Sequence, residues 1–198
     1  MADTAPITRI VERWRETGEP PSPVMCWTPA QLGAFLDAAE GDRLYGLFHL
    51  VAHRGLRRGE ACGLGWSDVD LDAGRMTVRR QLVQLGWEVY EDTPKSDAGD
   101  RTIALDAGTV ASLRAHRRQQ VAARLEWGPA WVDSGKVFTR EDGSALHPAT
   151  VTDRFHALVE AAGLPPVRLH DLRHGAASLM LVRRVASDAT AGAIRRTA

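Results

Sequence analysis

The sequence predicts a mainly α-helical α+β domain with a small three-stranded antiparallel sheet. Three observations predict it: apolar residues recur at helical spacing over most of the chain, one stretch beginning at Arg75 switches to alternation, and Pro and Gly clusters separate the segments. At 198 residues the chain is long enough to bury a full core, as one domain or one domain with a short appendage. Its 44% hydrophobic and 25% charged content is that of an ordinary soluble globular protein.

Ile7, Ile10, Val11 and Trp14 fit a short amphipathic helix that Gly18 stops, and the Pro-rich run from Glu19 to Pro23 reads as a linker. Residues 1–23 are therefore expected to be an appendage to a domain over 24–182. Thr28 as N-cap and Pro29 at the first helical position open a helix with the stripe Leu32, Phe35, Leu36 and Ala39. A second helix, from about Arg43 to His53, carries Leu44, Leu47, Phe48 and Val51, and Gly55 supplies the left-handed residue that ends it. Glu60 is placed to pair with Arg57 or to cap a short helix reaching Leu64.

From Arg75, Met76, Val78, Arg80 and Leu82 alternate with Thr77, Arg79 and Gln81. Leu85-Gly86 turns the chain into a strand from Trp87 to Tyr90, and Ile103 and Leu105 supply a third strand. Lys95 sits in the connection between the last two strands, flanked by Pro94 and Gly99. Asp106 caps a helix whose Val110, Leu113, Val121 and Leu125 face inward, with Arg114, Arg117, Arg118 and Arg124 on or beside the exposed side. Val137-Phe138 is a candidate short strand, and Pro148 begins a helix through Val151, Phe155, Leu158, Val159 and Ala162 that Gly163 closes. If Leu169 to His174 is helical, His170, Arg173 and His174 share one face, and Leu169, Leu172, Ala176 and Leu179 the other. Beyond about Leu181 few large apolar residues remain, so 183–198 is expected to be an aberrant or disordered tail.

Basic and acidic residues balance at 25 each, so nucleic acid as a partner does not follow from the total. Their distribution is uneven: residues 101–124 hold five Arg against one Asp. Cys26 and Cys62 have no zinc-like spacing and read as reduced thiols, and no apolar run is long enough to cross a bilayer, so a cytoplasmic chain is expected. Brought together, the guanidiniums of Arg57 and Arg173, the Lys95 ammonium and the His170 imidazole would make a pocket for a phosphate.

Four runs in this order, Gly-Leu-Arg-Arg-Gly-Glu from Gly55, Gly-Leu-Gly-Trp-Ser-Asp-Val-Asp-Leu from Gly63, the Lys95 turn, and Leu-His-Asp-Leu-Arg-His from Leu169, resemble the catalytic domain of the tyrosine recombinase (phage integrase) family. The resemblance covers roughly Trp27 to Leu181. It implies that family's catalytic-domain fold and site-specific recombination or integration of DNA through a phosphotyrosyl intermediate, with neither metal nor nucleotide cofactor. By the same resemblance Arg57 and Arg173 clamp the phosphate, Lys95 is the general acid, His170 assists the proton leaving tyrosine, Glu60 orients Arg57, and His174 supports the site. Arg58, Arg114, Arg117 and Arg118 are candidate DNA contacts. The implied partners are DNA and an intact recombinase or further copies of the chain, with no membrane.

One departure limits the resemblance. No tyrosine follows Arg173, and the two tyrosines present, Tyr45 and Tyr90, fall in a predicted helix and strand. The chain is accordingly expected to be an inactive remnant, truncated or frame-changed at its C-terminus and lacking a DNA-clamping N-terminal domain. The alternative is a non-catalytic DNA-binding or regulatory module acting on an intact recombinase. A metalloenzyme is disfavoured: His170 and His174 have the i, i+4 spacing of zinc ligands, but no glutamate adjoins them and Arg173 would repel the cation.

Overall fold

The computed structural model describes residues 27–86, 88–92 and 101–173. The expected N-terminal helix and linker, Lys95, His174 and the expected tail lie outside the described residues. Helix α1 (Pro29–Ala39) begins at a closed capping box: the Gln31 amide donates to the Thr28 hydroxyl at 3.2 Å, and the Thr28 amide donates to the Gln31 side chain at 2.9 Å. Helix α2 (Tyr45–Arg54) ends at Gly55, which takes φ 66°, and α3 (Arg58–Gly63) follows at once.

Strands β1 (Val69–Asp70), β2 (Arg75–Val78), β3 (Gln81–Leu85), β4 (Glu88–Asp92) and β5 (Arg101–Ala104) come next. Then come α4 (Ala107–Trp127), opened by the Asp106 carboxylate accepting from the Thr109 amide at 2.8 Å, and α5 (Pro148–Ala161). Phe35 of α1, Phe48 of α2 and Phe155 of α5 meet with ring centroids 5.2 to 6.0 Å apart. Trp27 closes this cluster, its indole N–H donating to the Pro165 carbonyl at 2.9 Å.

The sheet is antiparallel and three-stranded, but its strands run in the order β1-β2-β5, with Val69 opposite Met76 and Val78 opposite Arg101. β3 and β4 form a separate hairpin about Gly86. The alternation from Arg75 to Leu82 therefore does not make one strand: it divides at Arg79-Arg80, and Val69–Asp70 takes the edge position. Helix α3 supplies the reason. A side chain on Gly63 would lie 2.8 Å from the Gln81 Cα, and one on Gly59 2.6 Å from the Leu82 carbonyl oxygen. The helix rests on the β3 backbone, and the chain leaves the first sheet to meet it.

Val137-Phe138 is buried but is not a strand; it bends between single bridges at Lys136 and Thr139. The Val137 carbonyl is occupied by α4, with the His116 Nε2 at 2.8 Å and the Gln120 amide donating at 3.1 Å, so no strand neighbour is needed to satisfy it. On α4 itself Thr109, Leu113 and His116 are buried, whereas Val121 and Leu125, expected to face inward, are 53% and 79% exposed. The last turns of the helix outrun the core. Among the described residues no helix is long and apolar enough to cross a membrane.

Candidate active site

Arg57 stands between the left-handed Gly55 and the first turn of α3, with extended backbone dihedrals. Glu60, one turn into α3, has a fully buried side chain. Its Oε2 accepts from the Arg57 backbone N–H at 2.8 Å and its Oε1 from the Arg57 Nη1 at 2.8 Å, so it both caps the helix and pairs with the arginine. A second guanidinium approaches from β5. Arg101 donates Nη1 to Oε1 at 3.0 Å and Nη2 to Oε2 at 2.7 Å, a two-pronged pair. Burial alone would raise the Glu60 pKa, but the hydrogen bonds from Arg101 and from the backbone and side chain of Arg57 outweigh it and hold the carboxyl below its usual range.

Arg173 is the last described residue of the helical turn 169–173. That turn is fixed by the buried side chains of Leu169 and Leu172 and by Asp171, whose carboxylate accepts from the Arg168 Nε at 2.9 Å and Nη2 at 3.0 Å. Burial pushes the Arg173 pKa down, the neighbouring Arg57 and Arg101 push it further, and Glu60 opposes them. All three residues thus lie within electrostatic reach of Arg173. Two guanidiniums hold one carboxylate with a third in electrostatic reach, and this excess of positive charge suits an anion with several acceptor oxygens.

The sequence profile of the phage integrase family matches residues 27–191. The chain belongs to the phage integrase family. It is 29% identical over 161 residues to a tyrosine recombinase XerC-like protein of Caldanaerobacter subterraneus, covering 75% of this chain and 41% of that one. It is 31% identical over 175 residues to an integrase of Streptomyces ambofaciens, covering 85% and 45%. The Tn1549 transposon integrase, solved in complex with transposon right end DNA, superposes with a TM-score of 0.70 at 21% identity over 86% of this chain and 57% of that one, a likeness of fold. The chain spans less than half the length of the two sequence relatives.

Other residues singled out in this integrase-family chain are placed as follows. His170 is exposed, three positions before Arg173 on the same turn. Arg58 donates to the Thr152 hydroxyl of α5 at 2.7 Å. Arg114, Arg117 and Arg118 line one open groove between α4 and β1, but Asp70 and Asp72 line it too; Arg114 pairs with Asp72 at 2.7 Å, and Arg117 lies over the Trp66 ring at 5.0 Å. Among the described residues no group of three His, Cys, Asp or Glu is placed to hold a metal.

Two residues escaped the sequence reading. Arg101 is 41 residues from Glu60, and a lone arginine opening a strand carries no spacing that marks a partner. Lys136, buried, donates to the Gly63 carbonyl at 3.2 Å and pairs with Glu91 of β4, tying the hairpin to the end of α3.

Proposed function

We propose that this chain grips a DNA phosphodiester between Arg57 and Arg173, as the phosphate clamp of a site-specific recombinase catalytic domain. The observation that carries the reading is the pairing of Arg57 and Arg101 with the buried carboxylate of Glu60, with Arg173 within electrostatic reach of all three. Attack by a hydroxyl on phosphorus builds charge on the nonbridging oxygens, and guanidinium forks held in advance stabilise that charge without reorganising. In this scheme Lys95 protonates the leaving oxygen and His170 assists the proton of the attacking hydroxyl.

Neither tyrosine of the 198 residues is suited to attack. Tyr45 sits on α2 against His49, and burial raises its pKa, the wrong direction for a nucleophile. Tyr90 is exposed on β4, its hydroxyl donating to Glu88 of the same strand, and among the described residues no hydrogen bond or ion pair ties it to Arg57, Glu60 or Arg101. These residues by themselves therefore hold the phosphate without cutting it, which also fits a module that occupies recombination sites in competition with an intact recombinase.

Two measurements on the purified chain test this. Arg57→Gln and Arg173→Gln should each weaken duplex DNA binding about tenfold, the worth of a charged hydrogen bond in a partly solvated site. A nicked suicide duplex should trap no covalent adduct unless an intact relative is added. Unchanged affinity in both variants would overturn the clamp, and an adduct with the chain alone would overturn the assignment of Tyr45 and Tyr90 as bystanders.

A further inference from the structure

We infer that Arg101 is a positioning residue of the anion site: it saturates Glu60, so that Arg173 and the remaining donors of the Arg57 fork stay available to the anion instead of collapsing onto the carboxylate. The inference rests on the phosphate-clamp reading above. A carboxylate offers about four lone-pair positions. In this structure each Glu60 oxygen accepts one bond from Arg57 and one from Arg101, at 2.7 to 3.0 Å, which fills all of them. Glu60 is fully buried and Arg101 is 29% exposed, so water is a poor substitute on that side. The strand fixes where the fork points, because Arg101 is held opposite Val78 in the β2–β5 register.

Remove Arg101 and a buried carboxylate keeps two empty acceptor positions, which is costly. The other donors of the Arg57 fork, and Arg173 within electrostatic reach, are available to fill them. Drawn onto Glu60, they would be lost to the ligand. The fork geometry matters as much as the charge: a lysine at 101 supplies a point charge that reaches one oxygen well but cannot span both.

The test is a double-mutant cycle on the full 198-residue chain, titrated with inorganic phosphate, with thermal melts as the control for folding. Arg101→Gln should weaken phosphate binding about tenfold, the value of one charged hydrogen bond, and Arg101→Lys should fall between it and the parent. In a Glu60→Gln background, where no buried carboxylate competes for the clamps, Arg101→Gln should cost less than about twofold, within the usual additivity error. An equal loss in both backgrounds would make Arg101 a direct ligand and overturn the positioning role. If Arg101→Gln and Arg101→Lys both bind like the parent while Arg173→Gln does not, the role is overturned and the clamp stands. If Arg57→Gln and Arg173→Gln also bind like the parent, the clamp itself falls and the role falls with it.

Discussion

His49 shows how a single side chain sets a pH window for the whole fold. It stacks on His53 at 4.2 Å, its Nδ1 is buried without a hydrogen-bond partner, and burial first, then His53, pushes its pKa down to about 4, against the pull of Asp106 and with a further push from Arg54. In the unfolded chain the ring takes its proton near the ordinary value of 6.5. Between those values unfolding takes up a proton, so this group's stabilisation is complete above 6.5 and is lost as the pH falls toward 4. His116, buried on α4, has its pKa lowered by burial and acts with the same sign. The carboxylates work lower: the Asp106 pKa is held down to about 2, because the hydrogen bonds from Thr109 outweigh burial, and its contribution fades only as the pH drops below the usual 3.8. His49→Phe should therefore shrink the fall in Tm between pH 7 and pH 5, with His116 supplying part of what remains; an unchanged difference between the two pH values would refute the assignment. Side chains of this kind explain what the sequence could and could not convey about the site. Arg57 and Glu60 are three residues apart, and their pairing is written in a local spacing. Arg101 acts on Glu60 across 41 residues, through a strand register that no local pattern encodes.

Glycine decides the fit between α3 and β3. A Cβ on Gly63 would meet the Gln81 Cα at 2.8 Å and the Arg80 oxygen at 3.0 Å, and backbone cannot move aside as a flexible side chain can. Gly63→Ala should destabilise the chain by about 1–3 kcal/mol, the usual cost of overpacking. Gly33 of α1 is the opposite case, since a Cβ there meets nothing within 4 Å. Gly33→Ala should stabilise by about 0.5–1 kcal/mol through helix propensity. Urea unfolding of both variants checks the pair, and two shifts of the same sign would contradict the packing described here. The contrast also marks where elements are legible in a sequence. Caps are local chemistry, so Thr28, Gly55, Asp106 and Pro148 sit at the ends of helices as their residue types predict. The division of the alternating run at Arg79-Arg80 depends on a helix arriving from elsewhere, and the exposure of Val121 and Leu125 depends on where the core stops beneath α4. Alternation and helical period report which residues share a face; they do not report whether anything covers it.

At the scale of the molecule, the proposed clamp predicts that charge rather than shape limits how tightly DNA is held. The chain has no net charge, so attraction must come from patches. The Arg57, Arg101 and Arg173 group sets three positive charges against Glu60, and the α4 groove sets Arg114, Arg117 and Arg118 against Asp70 and Asp72. Arg114 is already engaged by Asp72, and Arg58 by Thr152, so neither is a fully free contact. A net excess of two in the site and one in the groove corresponds to about two or three neutralised phosphates. Each phosphate neutralised on duplex DNA contributes a slope of roughly −0.9 to log K against log salt, so raising salt from about 50 to about 200 mM should weaken binding about 10- to 40-fold. Fluorescence anisotropy with a labelled duplex at several salt concentrations measures that slope directly. A flat response would remove phosphate neutralisation, and with it the clamp, from the account. A slope several times steeper would mean that a basic surface other than these two patches dominates binding, and Arg173→Gln would then leave the slope unchanged instead of reducing it by about one unit.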